Sequence, residues 1–268
     1  MGLLDDLAPG TVLGTQYSLL HLLGSGGQGA VYRAYDRRQN RHVALKVSYD
    51  SLSHEGSLLQ RMTRDLPASV RAHLPAVYAW GKSAHLWYLA VEYLPGCSAR
   101  AYVQALRKGG ATLPLVEIID MSLQLCDLLI ALHTQRLIVV DIKPDNLLLV
   151  GTRLYLTDFG AAGPIAAHLS VVSGTPGYMA PEYCAGYRVP SVDIFAFGVT
   201  LYELLTGERP DERNDPPRWL AGHFGHTVMR MIEPNPFQRW NNVRLLRDSF
   251  HRIRTAYHAH APASWLVG

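Results

Sequence analysis

Val139-Val140-Asp141-Ile142-Lys143-Pro144-Asp145-Asn146 is the stretch that decides this chain. It sets a carboxylate (Asp141), an ammonium (Lys143) and a carboxamide (Asn146) within six positions, and Pro144 stiffens the loop between them. Asp158-Phe159-Gly160 brings a second carboxylate twelve residues after Asn146. The apolar runs at 137–140 and 147–150 predict short strands, with the polar set on the loop that joins them. Two acids, a lysine and an asparagine form a donor set able to hold a metal-bound nucleotide and steer a hydroxyl onto its γ-phosphate.

Outward from that loop, the composition sets limits. At 268 residues, with 48% hydrophobic and 18% charged residues, the chain has enough apolar material for one large domain or two modest ones. A formal charge of +3 with scattered Lys and Arg gives no basic face for nucleic acid. The one dense cluster, Arg37-Arg38-Gln39-Asn40-Arg41, reads as a solvated hairpin turn. Cys97, Cys126 and Cys184 are widely spaced without a CxxC, which points to reduced thiols and a cytoplasmic location rather than a disulfide framework or a zinc site. Asp5 and Asp6 interrupt the apolar opening, so no signal peptide is expected. No apolar run reaches the ~20 residues of a membrane span, so no membrane segment is expected in this chain.

The first third is strand-like: residues 17–23, 30–35, 42–49, 76–80 and 86–93 are short runs rich in β-branched and aromatic residues. Only residues 55–64 break the series with helical spacing, placing Leu58, Leu59 and Met62 on one side. After Pro95-Gly96 the pattern changes. A helix is predicted over 114–133, with Pro114 near its start, and another over 191–205, apolar nearly all round and therefore buried. Residues 210–218 read as a surface loop. This order predicts an α+β protein with a strand-rich first part and a helical second part.

Gly24, Gly26 and Gly29 spell GxGxxG, a spacing shared with dinucleotide-binding turns. In those turns the motif opens a helix, whereas residues 30–35 alternate like a strand; strand–loop–strand is favoured, though an ordinary glycine hairpin has the same look. No GxxxxGK[ST] is present. Val43-Ala44-Leu45-Lys46-Val47 places a lysine on a strand among apolar neighbours, where its charge needs a partner. Leu89-Ala90-Val91-Glu92-Tyr93-Leu94-Pro95-Gly96 and the run from Gly174 to Glu182, ending Ala180-Pro181-Glu182, complete the series.

Over roughly residues 17–255 these motifs stand in the order of a eukaryotic-type (Hanks-type) protein Ser/Thr kinase, which the chain resembles in a bacterial style. The resemblance implies a bilobal protein-kinase-like fold forming a single domain over 1–268. Its N-lobe would be a small antiparallel sheet over about 1–94, its hinge would span about 92–96, and its C-lobe, mainly helical, about 97–268. It implies ATP and Mg²⁺ as cofactors and a protein substrate with a Ser/Thr acceptor. Asp141 is then the residue that accepts or orients the hydroxyl proton, Lys143 neutralises the γ-phosphate, and Lys46 holds the α/β-phosphates while paired with Glu55. Leu23, Gly24, Gly26, Gly29, Val31, Ala44, Val91, Glu92, Leu94 and Leu148 surround the nucleotide, and Asn146 and Asp158 bind the metal. Thr175 stands beside Asp141 and Lys143, Glu182 pairs with Arg239, and Asp193 anchors the catalytic-loop backbone.

Two departures matter. Val139 and Val140 stand where the family has His and Arg, which makes the loop non-RD, and the 208–231 region is short. A nucleotide-binding pseudokinase scaffold is the alternative that the valines favour. A small-molecule phosphotransferase is disfavoured by Lys143-Pro144 and the full 174–182 segment.

Overall fold

A computed structural model describes residue 4 and residues 7–27, 29–210 and 222–259. Of the surface loop expected at 210–218, only Pro210 falls within these, and Asp5, Asp6 and Gln28 fall outside them. The chain divides into two compact units, Met1–Gly96 and Cys97–Gly268.

The first unit is an antiparallel sheet. Its strands are β1 (Val12–Leu13), β2 (Tyr17–Gly26), β3 (Gly29–Asp36), β4 (Arg41–Ser48), β5 (Val77–Ser83) and β6 (Leu86–Glu92), in the order β1-β2-β3-β4-β6-β5. Alternation along β3 sends Ala30, Tyr32, Ala34 and Asp36 inward, and the first three join Leu19, Val43, Leu45, Val47 and Ala90 in one core. The basic cluster forms the β3–β4 turn, as expected. There Asp36 is fully buried and its Oδ1 accepts the backbone N–H groups of Arg38 (3.1 Å) and Gln39 (3.2 Å). Helices α1 (Ser53–Asp65) and α2 (Ala68–Arg71) interrupt the strands; α1 buries Glu55, Gly56, Leu58, Leu59 and Met62 on one face.

The second unit is mainly helical. It comprises α3 (Ala99–Lys108), α4 (Leu115–Thr134), α5 (Pro181–Cys184), α6 (Pro190–Thr206), α7 (His223–Met231) and α8 (Val243–Ala259). Short strands complete it: β7 (Cys97–Ser98), β9 (Leu147–Val150) and β10 (Arg153–Leu156) form one small sheet, while β8 (Leu137–Ile138) pairs with β11 (Gly163–Pro164). Pro114 precedes α4, its fixed φ suiting a helix start. α6 is buried on every side, from Val192 to Leu204 with Phe195 alone half-buried, which is why its sequence shows no polar face. α3 and α8 escape the periodicity reading because their apolar stripes are narrow; α8 buries only Val243, Leu246, Ser249 and Phe250. The α+β class and the bilobal architecture follow the sequence expectation. Among the described residues, no helix is long and apolar enough to cross a membrane.

Candidate functional site

The predicted residues gather into one group in each unit. In the first, β2 and β3 form the hairpin that the strand-like pattern predicts, closing with Gly26 opposite Gly29. Gly29 has φ +126, and a Cβ there would lie 2.2 Å from the carbonyl oxygen of Val47, so only glycine fits this turn against β4. Gly24 sits opposite Val31, and Leu23, at the bulge beside it, is exposed. Across the sheet Val31 faces Lys46, Lys46 faces Leu89, and Leu89 faces Trp80, so these side chains share one face. Lys46 Nζ donates to Glu55 Oε2 at 2.8 Å, and both residues are buried. The lysine thus finds the partner its apolar strand demands. α1 begins only two residues before Glu55, which is how nine positions suffice to return to Lys46.

Ala44 and Val91 are opposite each other on β4 and β6. Glu92 ends β6, and its Oε2 accepts the Ala76 N–H at 3.2 Å; Leu94, beyond the strand, is buried. Leu148 belongs to the second unit, on β9 between Ser98 and Tyr155.

The second group is a hydrogen-bonded net around Asp141, which is 4% exposed. Its Oδ1 accepts the Thr175 N–H (2.9 Å), and its Oδ2 accepts from Lys143 Nζ (2.8 Å) and Asn146 Nδ2 (3.2 Å). Lys143 Nζ also donates to Thr175 Oγ1 at 2.6 Å, and Asn146 Nδ2 to the Asp141 carbonyl at 2.9 Å. The Asn146 carbonyl accepts the Thr157 N–H (2.9 Å), tying the loop to the residue before Asp158. Asp158 itself has φ 63, and its Oδ1 accepts the Gly160 N–H at 3.1 Å, while Phe159 is fully buried behind it.

What holds this loop is a buried carboxylate from α6. Asp193, 0% exposed, accepts the backbone N–H groups of Val139 (3.0 Å) and Val140 (2.7 Å), and its Oδ2 meets His133 Nε2 of α4 at 2.8 Å. Thr200 Oγ1, also on α6, donates to the Ile142 carbonyl at 3.0 Å. Neither valine side chain can hydrogen-bond, yet both are buried, and Val140 takes φ 74, a left-handed backbone rarely adopted by a β-branched residue. Val140 packs with Ile138, Ala161, Ala180, Tyr183 and Val192, against Ile165, Leu169 and Met179. Glu182 and Arg239 form the bidentate pair expected of them, at 2.6 and 2.9 Å, with Arg239 fully buried.

The sequence reading missed a second net beside the loop. Arg100 of α3 donates from Nε to both oxygens of Asp145 (2.9 Å each) and from Nη2 to the Tyr178 hydroxyl (2.9 Å). Its Nη1 reaches Glu203 of α6, which also accepts from the Tyr178 hydroxyl. Burial first, then the bond to Glu203, pushes the Tyr178 phenol up to about 12. Nothing local in the sequence ties Arg100 to partners 45 to 103 positions away.

A family model described as protein kinase domain matches residues 17–251. The serine/threonine-protein kinase PrkC of Bacillus subtilis is 27% identical over 262 residues, covering 90% of this chain and 39% of its own length. PknB of Mycobacterium leprae, named likewise, is 29% identical over 282 residues, covering 93% and 45% respectively. The chain therefore spans less than half the length of these relatives. A crystal structure of a kinase domain shares the fold at a TM-score of 0.77, with 16% identity over 91% of this chain and 98% of that one. With a family model covering most of its length and the family's fold in both units, the chain belongs to the protein kinase domain family.

Proposed function

We propose that this protein is a Ser/Thr kinase that transfers the γ-phosphate of Mg-ATP to a protein hydroxyl, through a non-RD catalytic loop within one kinase domain over 1–268. The observation that carries the proposal is the Asp141 net. Asp141 is fixed through both carboxylate oxygens, so it is aimed rather than free to rotate, as a group that accepts or orients a hydroxyl proton needs to be. Lys143, bridging Asp141 and Thr175, holds its positive charge beside that carboxylate, where it neutralises transferring phosphate. Lys46, oriented by Glu55, serves the α/β-phosphates, and Gly24, Gly26 and Gly29 leave the backbone able to approach them. Leu23, Val31, Ala44, Val91, Leu94 and Leu148 contribute apolar surface for the base, with Glu92 at the hinge.

Asn146 and Asp158 suit a hard cation. The Asn146 amide nitrogen is engaged by Asp141, which leaves its Oδ1 without a hydrogen-bond partner among the described residues, and Asp158 adds a carboxylate. Bound Mg²⁺ supplies neutralisation of the phosphate oxygens. The free thiols of Cys97, Cys126 and Cys184 suit a reducing compartment, and the cytoplasm is the location we assign.

The valines at 139 and 140 favour a second reading, a nucleotide-binding pseudokinase. Incubating the protein with labelled ATP, Mg²⁺ and a generic protein substrate, followed by phosphoamino-acid analysis, separates the two. Phosphoserine and phosphothreonine are expected; nucleotide binding without transfer would leave the pseudokinase.

A further inference from the structure

Glu55 and Gly56 are consecutive in the first turn of α1, and they touch two residues of one row across the sheet. Glu55 meets Lys46 on β4, and Gly56 lies against Trp80 on β5, with Leu89 of β6 between them in the same register. The approach at Gly56 is closer than any other residue permits. A Cβ built there falls 2.6 Å from both Cγ and Cδ2 of Trp80 and 3.0 Å from its Cβ. These are atoms at the root of the indole, so a rotation of the ring tip does not clear them; the whole Trp80 side chain, the helix or the strand has to shift.

Helix propensity makes glycine at this position costly, because alanine is the better former in a helix interior. Its presence in a buried first turn is explained by the contact with Trp80. Gly56 is where α1 rests on the sheet, and the depth of that seat sets how far Glu55 reaches. The Lys46–Glu55 pair at 2.8 Å has little slack, since lengthening it by the displacement a methyl requires breaks the hydrogen bond.

We infer that Gly56 and Trp80 form a seat that positions α1, making Gly56 a positioning residue for the Lys46–Glu55 ion pair. Its consequence for phosphoryl transfer rests on the kinase reading above, but its consequence for Lys46 does not. A side chain at 56 lifts the first turn and withdraws Glu55, so Lys46 loses the hydrogen bond and the negative charge which that carboxylate supplies. Its amine then reacts faster with an acylating reagent.

The test compares wild type, Gly56→Ala, Trp80→Leu, the double variant and Glu55→Gln. Each is melted, labelled with a limiting amine-acylating reagent without nucleotide, with Lys46 modification read by mass spectrometry, and assayed for kcat and KM for ATP. Gly56→Ala is expected to raise Lys46 acylation to the Glu55→Gln level and to lower kcat/KM by about tenfold to a hundredfold, the scale of a misplacement near 1 Å. Trp80→Leu combined with Gly56→Ala should bring both readouts back toward Trp80→Leu alone, a non-additivity that general destabilisation does not produce. Unchanged Lys46 acylation in a folded Gly56→Ala, or a double variant no better than Gly56→Ala, overturns the inference. If Gly56→Ala fails to fold, labelling of the double variant decides: the Glu55→Gln level overturns the seat, and the Trp80→Leu level supports it. Absence of transfer in wild type would count against the kinase reading, and the labelling arm would still judge the seat.

Discussion

The two groups of predicted residues are held in opposite ways. In the first unit, Lys46 and Glu55 meet in an ion pair whose length depends on how a helix rests on a sheet. In the second, Asp141 is held by three side-chain or backbone donors, and its loop hangs from Asp193 by two more. The first depends on where a whole helix sits, because movement of α1 separates two buried charges. The second depends on polar groups within one loop, because moving the loop leaves buried N–H groups unpaired at about 1–3 kcal/mol each. Sensitivity to packing should therefore appear at Lys46, and sensitivity to polar substitution at Asp141 and Asp193.

Asp141→Asn sharpens this contrast most. It should lower transfer by roughly 10²–10⁴ while nucleotide binding and the fold persist, because a positioned proton acceptor is lost and little packing changes. Turnover equal to wild type would remove Asp141 from the mechanism.

Asp158→Asn attacks the metal rather than the loop. Nucleotide-induced thermal stabilisation should depend on Mg²⁺ in wild type and lose that dependence in the variant. The same metal dependence in both proteins would contradict the assignment. Lys46→Met should also cripple transfer, but with its Mg²⁺ dependence of stabilisation retained.

Asp193→Ala tests the rigidity of the second group through stability. It leaves the Val139 and Val140 N–H groups buried and unpaired, a loss of about 2–6 kcal/mol from two such groups, measured by denaturant unfolding. A change below ~0.5 kcal/mol would mean that apolar packing alone fixes the loop.

Tyr178→Phe should have a smaller effect, whose pH dependence is confined to the alkaline range. The phenol is raised from 10.0 to about 12, so the folded state favours its protonated form. That contribution is complete below pH 10 and is lost as the pH rises through 12. A wild-type melting temperature should therefore fall across this window more than that of Tyr178→Phe; parallel curves would show that the phenol titrates no differently once folded. Tyr17, also raised to about 12, falls with it in both proteins and cancels in the comparison.

The smallest expected effect is none. Removing phosphate from the segment between Asp158 and Glu182, or replacing Ser170 and Ser173 by Ala, should leave the initial rate within tenfold of wild type. That segment contains no Lys or Arg, and Val140 offers no charge to a phosphate. In its place, Ile165, Leu169 and Met179 pack on the Val140 cluster, Ile165 N–H donates to the Arg136 carbonyl (3.0 Å), and Leu169 N–H to that of Gly186 (3.0 Å). A tenfold loss at intact fold would reveal a cationic pocket, with Arg136 and Arg188 the first places to look.

Much of this was legible in the sequence because it is local. Asp141, Lys143 and Asn146 lie within six positions, so the loop's own geometry brings them together. The strand–loop–strand form of the glycine segment followed from alternation over 30–35, and the buried α6 from its lack of a polar face. The pairings Lys46–Glu55 and Glu182–Arg239 came from family resemblance, since nothing within nine or 57 positions of sequence forces them. Only the tertiary structure decided that His133 shares the Asp193 carboxylate with the loop, that Arg100 joins Asp145 to Tyr178 and Glu203, and that Gly56 rests on an indole. The physical reason is common to all three. Each joins residues far apart in sequence, and such contacts leave no period and no motif, only an unremarkable residue type that the fold brings to its partner.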